Sequence, residues 1–337
     1  MIGICMGSRP EAIKVLPLIK KLKSANIKFK VIYVKQHTNL MPDIPYDEVV
    51  EIDKTCGNRL NEIVASVLLN SNKALEGVDH VMVQGDTSSA FAMALAAFHR
   101  GIKVIHVEAG LRTYDQDSPY PEEVNRQLIS KIASLHFAPT FQNESNLFFE
   151  KVSGRVVRSG NTVFDGVDYP VNSTNPTDVL ITMHRREKNS EDIEKWIGKY
   201  CQLQDLYPNL KFKFVKHPRM DNKLFEKINF QVIDPVPHNV LLQMIADSKF
   251  VITDSGGLQE ECSFMNKTCF VTRDNTERPE SIGTTSFLCK RPEDLWAMVS
   301  WFMNSGSITF HNTCPFTFGK GVATEIIFNT LKEENII

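Results

Sequence analysis

Short runs of β-branched and other apolar residues alternate with longer segments of helical period along almost the whole chain, and this rhythm limits the fold most sharply. In the first half the strand candidates are Ile2–Met6, Lys30–Val34, His80–Gln84, Lys103–Glu108, Leu135–Ala138 and Arg155–Arg158. Helical segments fit between them at Pro10–Lys23, Leu60–Leu69, Ser88–His99, Pro121–Ser134 and Phe141–Glu150. Strand followed by helix, repeated, predicts a parallel sheet covered on both faces. The rhythm breaks at YPVNSTNPTD, residues 169–178, which has no period and is rich in Pro, Asn, Ser and Thr, so it reads as a linker. It then restarts with strands at Val179–Met183, Lys211–Lys216, Phe230–Ile233, Lys249–Thr253, Cys269–Thr272 and Ser286–Cys289. The helices expected here are Glu191–Leu206, Met220–Ile228, Asn239–Ala246, Leu258–Phe264, Glu293–Met303 and Val322–Leu331.

The fold class is therefore α/β, with two doubly wound Rossmann-like domains, a division that 337 residues also favour. The first domain spans 1–168, the linker 169–178 and the second domain 179–319. In such sheets ligands sit beyond the carboxyl ends of strands. Two halves facing each other would line one central cleft with those loops, so the informative residues should lie just after strands.

Bulk composition excludes several partners. A net charge of −2 supplies no field for nucleic acid or an anionic membrane. No apolar run approaches the ~20 residues of a membrane span. The seven cysteines, at 5, 56, 201, 262, 269, 289 and 314, are odd in number and form no CxxC, which favours a reducing compartment over a disulfide framework or structural zinc. The opening MIGICMGSRPEA carries no basic leader before a long apolar run, so a cytoplasmic protein is expected.

The residues that follow strands are unusually rich in charge and glycine. After the first strand, GSRPEAIK sets Arg9 and Lys14 around a helix start with Pro10 in its first turn. This suits an anion, or is simply a capped helix with solvated cations. QGDTSSA places Asp86 at a strand end, where it is either an N-cap or a functional carboxylate. HVEAGLRT carries Glu108 out of an apolar strand with Gly110 behind it, which a cap explains poorly, and Arg112 is a candidate partner for that carboxylate. SPYPEE starts a helix with Glu122 and Glu123, where negative charge complements the dipole. Carboxylates crowded at one sheet edge push each other's pKa values apart, giving one proton donor and one acceptor.

In the second half, ITMHRREKNSED puts His184, Arg185 and Arg186 at a strand end, while His217 in VKHPRMDN reads as a turn residue. VITDSGGLQEE is the sharpest feature. A buried strand stops at Asp254, and Ser255, Gly256 and Gly257 then enter a helix whose free N–H groups can hold a phosphate. Glu261, one turn on, can accept hydrogen bonds from ribose hydroxyls. RDNTERPE adds Arg273 and Arg278.

Taken in order, GSRPEAIKVLPL, QGDTSSA, HVEAGLRT, SPYPEEVNR, HFAPT, GNTVFD, HRRE, TDSGGLQEE and RDNTERPE resemble the non-hydrolysing UDP-N-acetylglucosamine 2-epimerases, which share the two-domain fold of GT-B glycosyltransferases. GKGVATEIIFNTL resembles that family's last helix, which implies that 320–337 crosses back to the N-terminal domain. The resemblance implies a reaction that eliminates UDP as a base removes the C2 proton, passes through 2-acetamidoglucal, and adds UDP back with a proton on the other face. It assigns Asp86, Glu108 and Glu122 as acid/base carboxylates and His184 as a catalytic histidine beside the diphosphate. Arg9, Lys14, Ser255, Gly256, Gly257, Glu261 and Arg278 become nucleotide contacts, with Arg112 and Arg185 as further substrate or UDP contacts. No cofactor or metal is implied; the partners implied are a UDP-sugar and a second copy in a homodimer.

Two departures stand out. Relatives carry a Gln-His-Arg motif and a helical stretch where this chain has the shorter KQHTNLMPDIPYD, which retains Gln36 and His37, so activation by a second UDP-sugar there is in question. Near the uracil site Leu241 stands where many relatives have Phe, and His238 where they have Tyr, which would alter base stacking. A hydrolysing epimerase, a GT-B glycosyltransferase and a catalytically inactive nucleotide-sugar sensor are the competing functions.

Overall fold

Two all-parallel sheets, each with the strand order of a dinucleotide-binding fold, make up the computed structural model, which describes residues 1–36, 44–54, 57–183, 190–217, 220, 222–305 and 317–337. Unit 1 comprises Met1–Val167 and Phe318–Ile337; unit 2 comprises Asp168–Thr317.

Unit 1 holds β1 (Ile2–Met6), β2 (Phe29–Val34), β3 (Glu48–Val50), β4 (His80–Gln84), β5 (Lys103–Val107), β6 (Leu135–Ala138) and β7 (Arg155–Arg158), in the order β3-β2-β1-β4-β5-β6-β7. Chain order reverses between β1 and β4, and in such sheets that switch point is where ligands bind. The short β3 was missing from the sequence reading, because Asp47, Glu48 and Glu51 leave only Val49 and Val50 as an apolar run.

Helices of unit 1 among the described residues include α1 (Arg9–Ser24), α2 (Arg59–Asn70), α3 (Ser88–His99), α4 (Glu122–Ile132) and α5 (Phe141–Phe149). Caps explain several starts: the Asn58 side chain accepts from Leu60 and Asn61 N–H, Thr87 from Ala90, and Thr140 from Asn143. α3 is built of alanine and serine and buries most of its length. Its small side chains let α2 and α4 pack closely on both sides of it.

Unit 2 repeats the plan with β8 (Asp178–Thr182), β9 (Lys211–Val215), β10 (Gln231–Ile233), β11 (Ser248–Thr253), β12 (Cys269–Val271) and β13 (Ser286–Leu288), ordered β10-β9-β8-β11-β12-β13. Its α-helices among the described residues are α6 (Ser190–Leu206), α7 (His238–Asp247), α8 (Gly256–Phe264) and α9 (Pro292–Asn304). Interlocked aromatic rings fill its core: Phe250 meets Phe270 edge-on at 5.3 Å and Phe302 at 5.7 Å between centroids. The helix expected over Met220–Ile228 is instead a 3-10 helix at Asn222–Lys227, too short to complete two α turns.

The segment read as a linker is anchored to unit 2. Ser173 N–H donates to Ala246 O at 3.0 Å, Asn172 Nδ2 to Met265 O at 2.6 Å, and Tyr169 packs on Phe264. The last helix, α10 (Ala323–Glu333), belongs to unit 1. Asp165 accepts the Ala323 N–H at 3.2 Å and the Thr324 N–H, and Ile327, Phe328 and Leu331 join the core of β1 and α1.

Candidate active site

The site in unit 1 gathers at the carboxyl ends of its strands. Gln84 ends β4 and, after Gly85, the chain turns to Asp86. Gly85 has φ +68, and the imidazole of His106 on β5 hydrogen-bonds its carbonyl at 2.8 Å. Burial pushes the His106 imidazole down to about 3, despite its bond to Gly85, so the ring is neutral and structural. Its role is to hold the turn that presents Asp86.

Glu108 leaves β5 with φ +66, the left-handed region that a β-carbon disfavours. Such strain persists only where surrounding contacts over-determine it. Here they do: Lys14 Nζ, Gln84 Nε2 and Asn161 Nδ2 all donate to its carboxylate, the last at 2.9 Å. The residue is buried. Gly110 follows with φ +90, and a Cβ there would collide with the Asn143 carbonyl. The motif's glycine is thus required by close backbone approach.

Asp86 is gripped by Arg126 of α4, whose Nε and Nη2 donate at 3.0 and 2.6 Å; its side chain is still 22% exposed. Asn125 Nδ2 donates to the Asp86 carbonyl at 2.9 Å. Glu122 opens α4, half-buried. Its neighbour Glu123 is fully buried and accepts from Thr113 N, Tyr114 N, Arg126 and Gln127, so it builds the loop after β5. Arg9 lies exposed at the first position of α1.

Two expected contacts have other uses. Arg112 does not pair with Glu108 and its guanidinium does not face outward. Its side chain is 0% exposed and clamps Glu150 from Nε at 2.6 Å and Nη2 at 2.8 Å, with further bonds to Ser130 Oγ and Leu111 O. The reason is directional: Gly110 turns the chain toward α5, where Glu150 waits at the helix end. Lys14, expected on the nucleotide, is turned onto Glu108.

In unit 2, β11 ends beside buried Asp254, and Ser255 caps α8 by accepting the Leu258 N–H at 3.4 Å. Thr253 Oγ1 accepts the Ser255 N–H at 3.0 Å and meets the Thr182 hydroxyl of β8 at 2.6 Å, tying the turn to two adjacent strand ends. Gly256 and Gly257 form the first turn of α8. A Cβ on Gly256 would strike the guanidinium of Arg278, whereas Gly257 is open.

Arg278 is also placed differently from a simple nucleotide contact. It is buried, donates to Glu260 from Nε and to Glu277 from Nη1, and its guanidinium lies against Gly256 in the first turn of α8. Arg273 completes the cluster on Glu277 at 2.7 Å. Glu261 is buried and its Oε1 lies 2.6 Å from His238 Nε2, at the start of α7. His238 thus orients Glu261. His184 and Arg185 lie outside the described residues, as does His37. Among the described residues no cluster of three or more His, Cys, Asp or Glu side chains is arranged to hold a metal. No helix there is long and apolar enough to cross a membrane.

Sequence reasoning missed Gln84, Asn161 and Arg126, which hold the candidate carboxylates, and Glu11, a buried carboxyl in the first turn of α1. Gln84 and Asn161 stand next to strand ends, a signal that was available. Arg126 lies one helical turn beyond Glu122, which alone does not reveal that it reaches back to Asp86.

A family profile described as UDP-N-acetylglucosamine 2-epimerase matches residues 20–332. A curated UDP-N-acetylglucosamine 2-epimerase of Neisseria meningitidis serogroup A is 35% identical over 310 residues, covering 82% of this chain and 83% of its own. The crystal structure of UDP-GlcNAc 2-epimerase from Neisseria meningitidis bound to UDP-GlcNAc superposes with TM-score 0.86 at 31% identity, over 98% of this chain and 99% of that one. The Methanocaldococcus jannaschii enzyme in complex with UDP-GlcNAc and UDP gives TM-score 0.82 at 30% identity, with the same coverage.

Proposed function

The chain belongs to the UDP-N-acetylglucosamine 2-epimerase family, and from that premise we propose that it interconverts UDP-N-acetylglucosamine and UDP-N-acetylmannosamine without hydrolysing the nucleotide. The observation that supports this most is the grip on two carboxylates, Asp86 and Glu108, at the ends of the adjacent strands β4 and β5. Glycosyl transfer to an acceptor hydroxyl needs at most one base and no donor–acceptor pair.

The proton at C2 of the substrate is not next to a carbonyl, so direct abstraction is blocked. A carboxylate removes it as the C1–O bond to UDP breaks, leaving a C1–C2 double bond, 2-acetamidoglucal, and free UDP. UDP then adds to C1 while a carboxylic acid returns a proton to the opposite face of C2. Asp86, Glu108 and Glu122 share these donor and acceptor roles. Lys14, Gln84 and Asn161 fix the Glu108 carboxylate, and Arg126 fixes Asp86, so the reacting groups are oriented in advance. UDP carries the charge that develops on bond breaking. The N–H groups of Gly256 and Gly257 in the half-buried first turn of α8 suit its phosphates, and Glu261 suits its ribose. His184 and Arg185 are assigned to the diphosphate by resemblance, and Arg9 to the nucleotide.

The protein is further proposed to act in the cytoplasm, in keeping with the free thiols of Cys5, Cys201, Cys262, Cys269 and Cys289. We also propose a homodimer, in keeping with the exposure of Phe148 and Phe149, each 77%, at the end of α5.

The test is the product. Protein incubated with UDP-GlcNAc alone should yield UDP-ManNAc to an equilibrium reached equally from UDP-ManNAc. Accumulation of free ManNAc and UDP would assign hydrolysis instead. UDP release that requires an added acceptor would assign glycosyl transfer.

A further inference from the structure

Glu11 is a buried titratable group that the scheme above does not use. It sits in the first turn of α1 and is 2% exposed. Its Oε2 accepts the Gly7 N–H at 3.2 Å and its Oε1 accepts the Thr87 hydroxyl at 2.9 Å, with the Ser8 side chain beside it favouring the ionised form. Gly7 to Arg9 form the turn after β1; Asp86 and Thr87 form the turn after β4. These are the two strands between which chain order reverses. The turns also approach closely, since a Cβ on Gly7 would collide with Ser89 and Gln36.

Burial raises the Glu11 carboxyl from its ordinary 4.5 to about 7, against the pull of the Ser8, Thr87 and Gly7 hydrogen bonds; the Asp86 charge adds to the rise. The titratable and charged groups facing it are Asp86 from the β4–α3 turn and the Cys5 thiol of β1. Arg126 of α4 is engaged with Asp86. On its own helix, Arg9 is exposed and Lys14 is engaged with Glu108.

We propose that Glu11 is a positioning residue whose carboxylate locks the Gly7–Arg9 turn to the Asp86–Thr87 turn, and that taking up a proton unlocks them. An ionised carboxylate accepts both bonds. A neutral carboxyl keeps lone pairs for both but loses the charge that strengthens them, and its O–H competes to donate to the Thr87 oxygen, so both tethers weaken. The tether on Thr87, beside Asp86, and the one on the anion-facing turn then loosen together. The effect on rate rests on the epimerase reading; the coupling of the two turns does not.

Two measurements separate these. Backbone amide resonances of Gly7 and Thr87 are followed against pH in the ligand-free protein. Both should shift together with one midpoint near 7 in the wild type, and neither should in Glu11→Gln. Then kcat/KM for UDP-GlcNAc should fall about tenfold per pH unit below that midpoint in the wild type, and this limb should vanish in Glu11→Gln at a lower plateau. Thr87→Val removes a donor that favours the ionised form, so limb and amide shift should move to higher pH, and Thr87→Ser should return them. Thr87→Val also serves should Glu11→Gln fail to fold. Amides that titrate near 4.5 or independently of each other would overturn the proposal, as would an acid limb unchanged in Glu11→Gln. If no turnover occurs at any pH, the epimerase reading falls and the amide titration alone decides the coupling.

Discussion

Replacing Arg112 with methionine separates a structural arginine from a substrate contact. The guanidinium is fully enclosed and makes two bonds to Glu150, one to Ser130 and one to Leu111 O. Removing one member of a buried pair typically costs about 3–5 kcal/mol, because the other charge is left without its partner. Glu150 retains 17% side-chain exposure and can partly rehydrate, which places the expected loss near the low end, about 3 kcal/mol. Arg112→Met with Glu150→Leu should recover part of it, since both charges leave together.

The pH dependence carries a sign as well. Burial alone would raise the Glu150 carboxyl, but the hydrogen bonds and charge of Arg112 outweigh it and hold the group below its ordinary value. A depressed carboxylate stabilises the fold above its unfolded pKa, and that stability is lost as pH falls through the depressed folded value. The gap between wild type and Arg112→Met should therefore be widest at neutral pH and narrow below about pH 4. Urea unfolding followed by far-ultraviolet circular dichroism at both pH values measures this, with KM for UDP-GlcNAc in the folded variant as the second readout. Unchanged urea resistance with a tenfold rise in KM would refute the reasoning and return Arg112 to the substrate.

Three further outcomes follow from the geometry. Lys14→Met takes the Lys14 ammonium from the buried Glu108 carboxylate, so kcat should fall about 100-fold and unfolding should lose about 3 kcal/mol, as steady-state kinetics and urea unfolding of the variant would show. Gly256→Ala drives a methyl group into Arg278, which should cost about 1–3 kcal/mol on thermal unfolding and weaken UDP binding in calorimetry, while Gly257→Ala should cost less. Phe148→Asp combined with Phe149→Asp should halve the mass measured by light scattering if the exposed end of α5 joins two copies; an unchanged mass would move that interface elsewhere.

Most strands and helices were legible because each buried strand is a short β-branched run and each helix has its own cap or period. β1, β4, β6 and β7 carry the bounds that the pattern alone indicates. What escaped was what lacks a period: three-residue β3 and the 3-10 helices at Thr162–Phe164 and Pro279–Ser281. Within the candidate site the carboxylates were legible, since Glu108 interrupts an apolar strand for no local reason. Their partners were not. Arg126 reaches Asp86 across 40 residues and Asn161 reaches Glu108 across 53, distances over which sequence carries no pairing signal. For the same reason the acids that hold Arg112 and Arg278, expected as substrate or nucleotide contacts, were not legible: Glu150 and Glu260 come from other elements.

The central claim is that carboxylates of this chain move a proton on and off C2 while UDP departs and returns. Incubating UDP-GlcNAc with the protein in D₂O and recording C2 by proton NMR tests it most directly. The expected result is deuterium at C2 of UDP-ManNAc from the first turnovers, with exchange into recovered UDP-GlcNAc following, both abolished by Glu108→Gln. UDP-ManNAc that forms with its original C2 hydrogen would contradict the account.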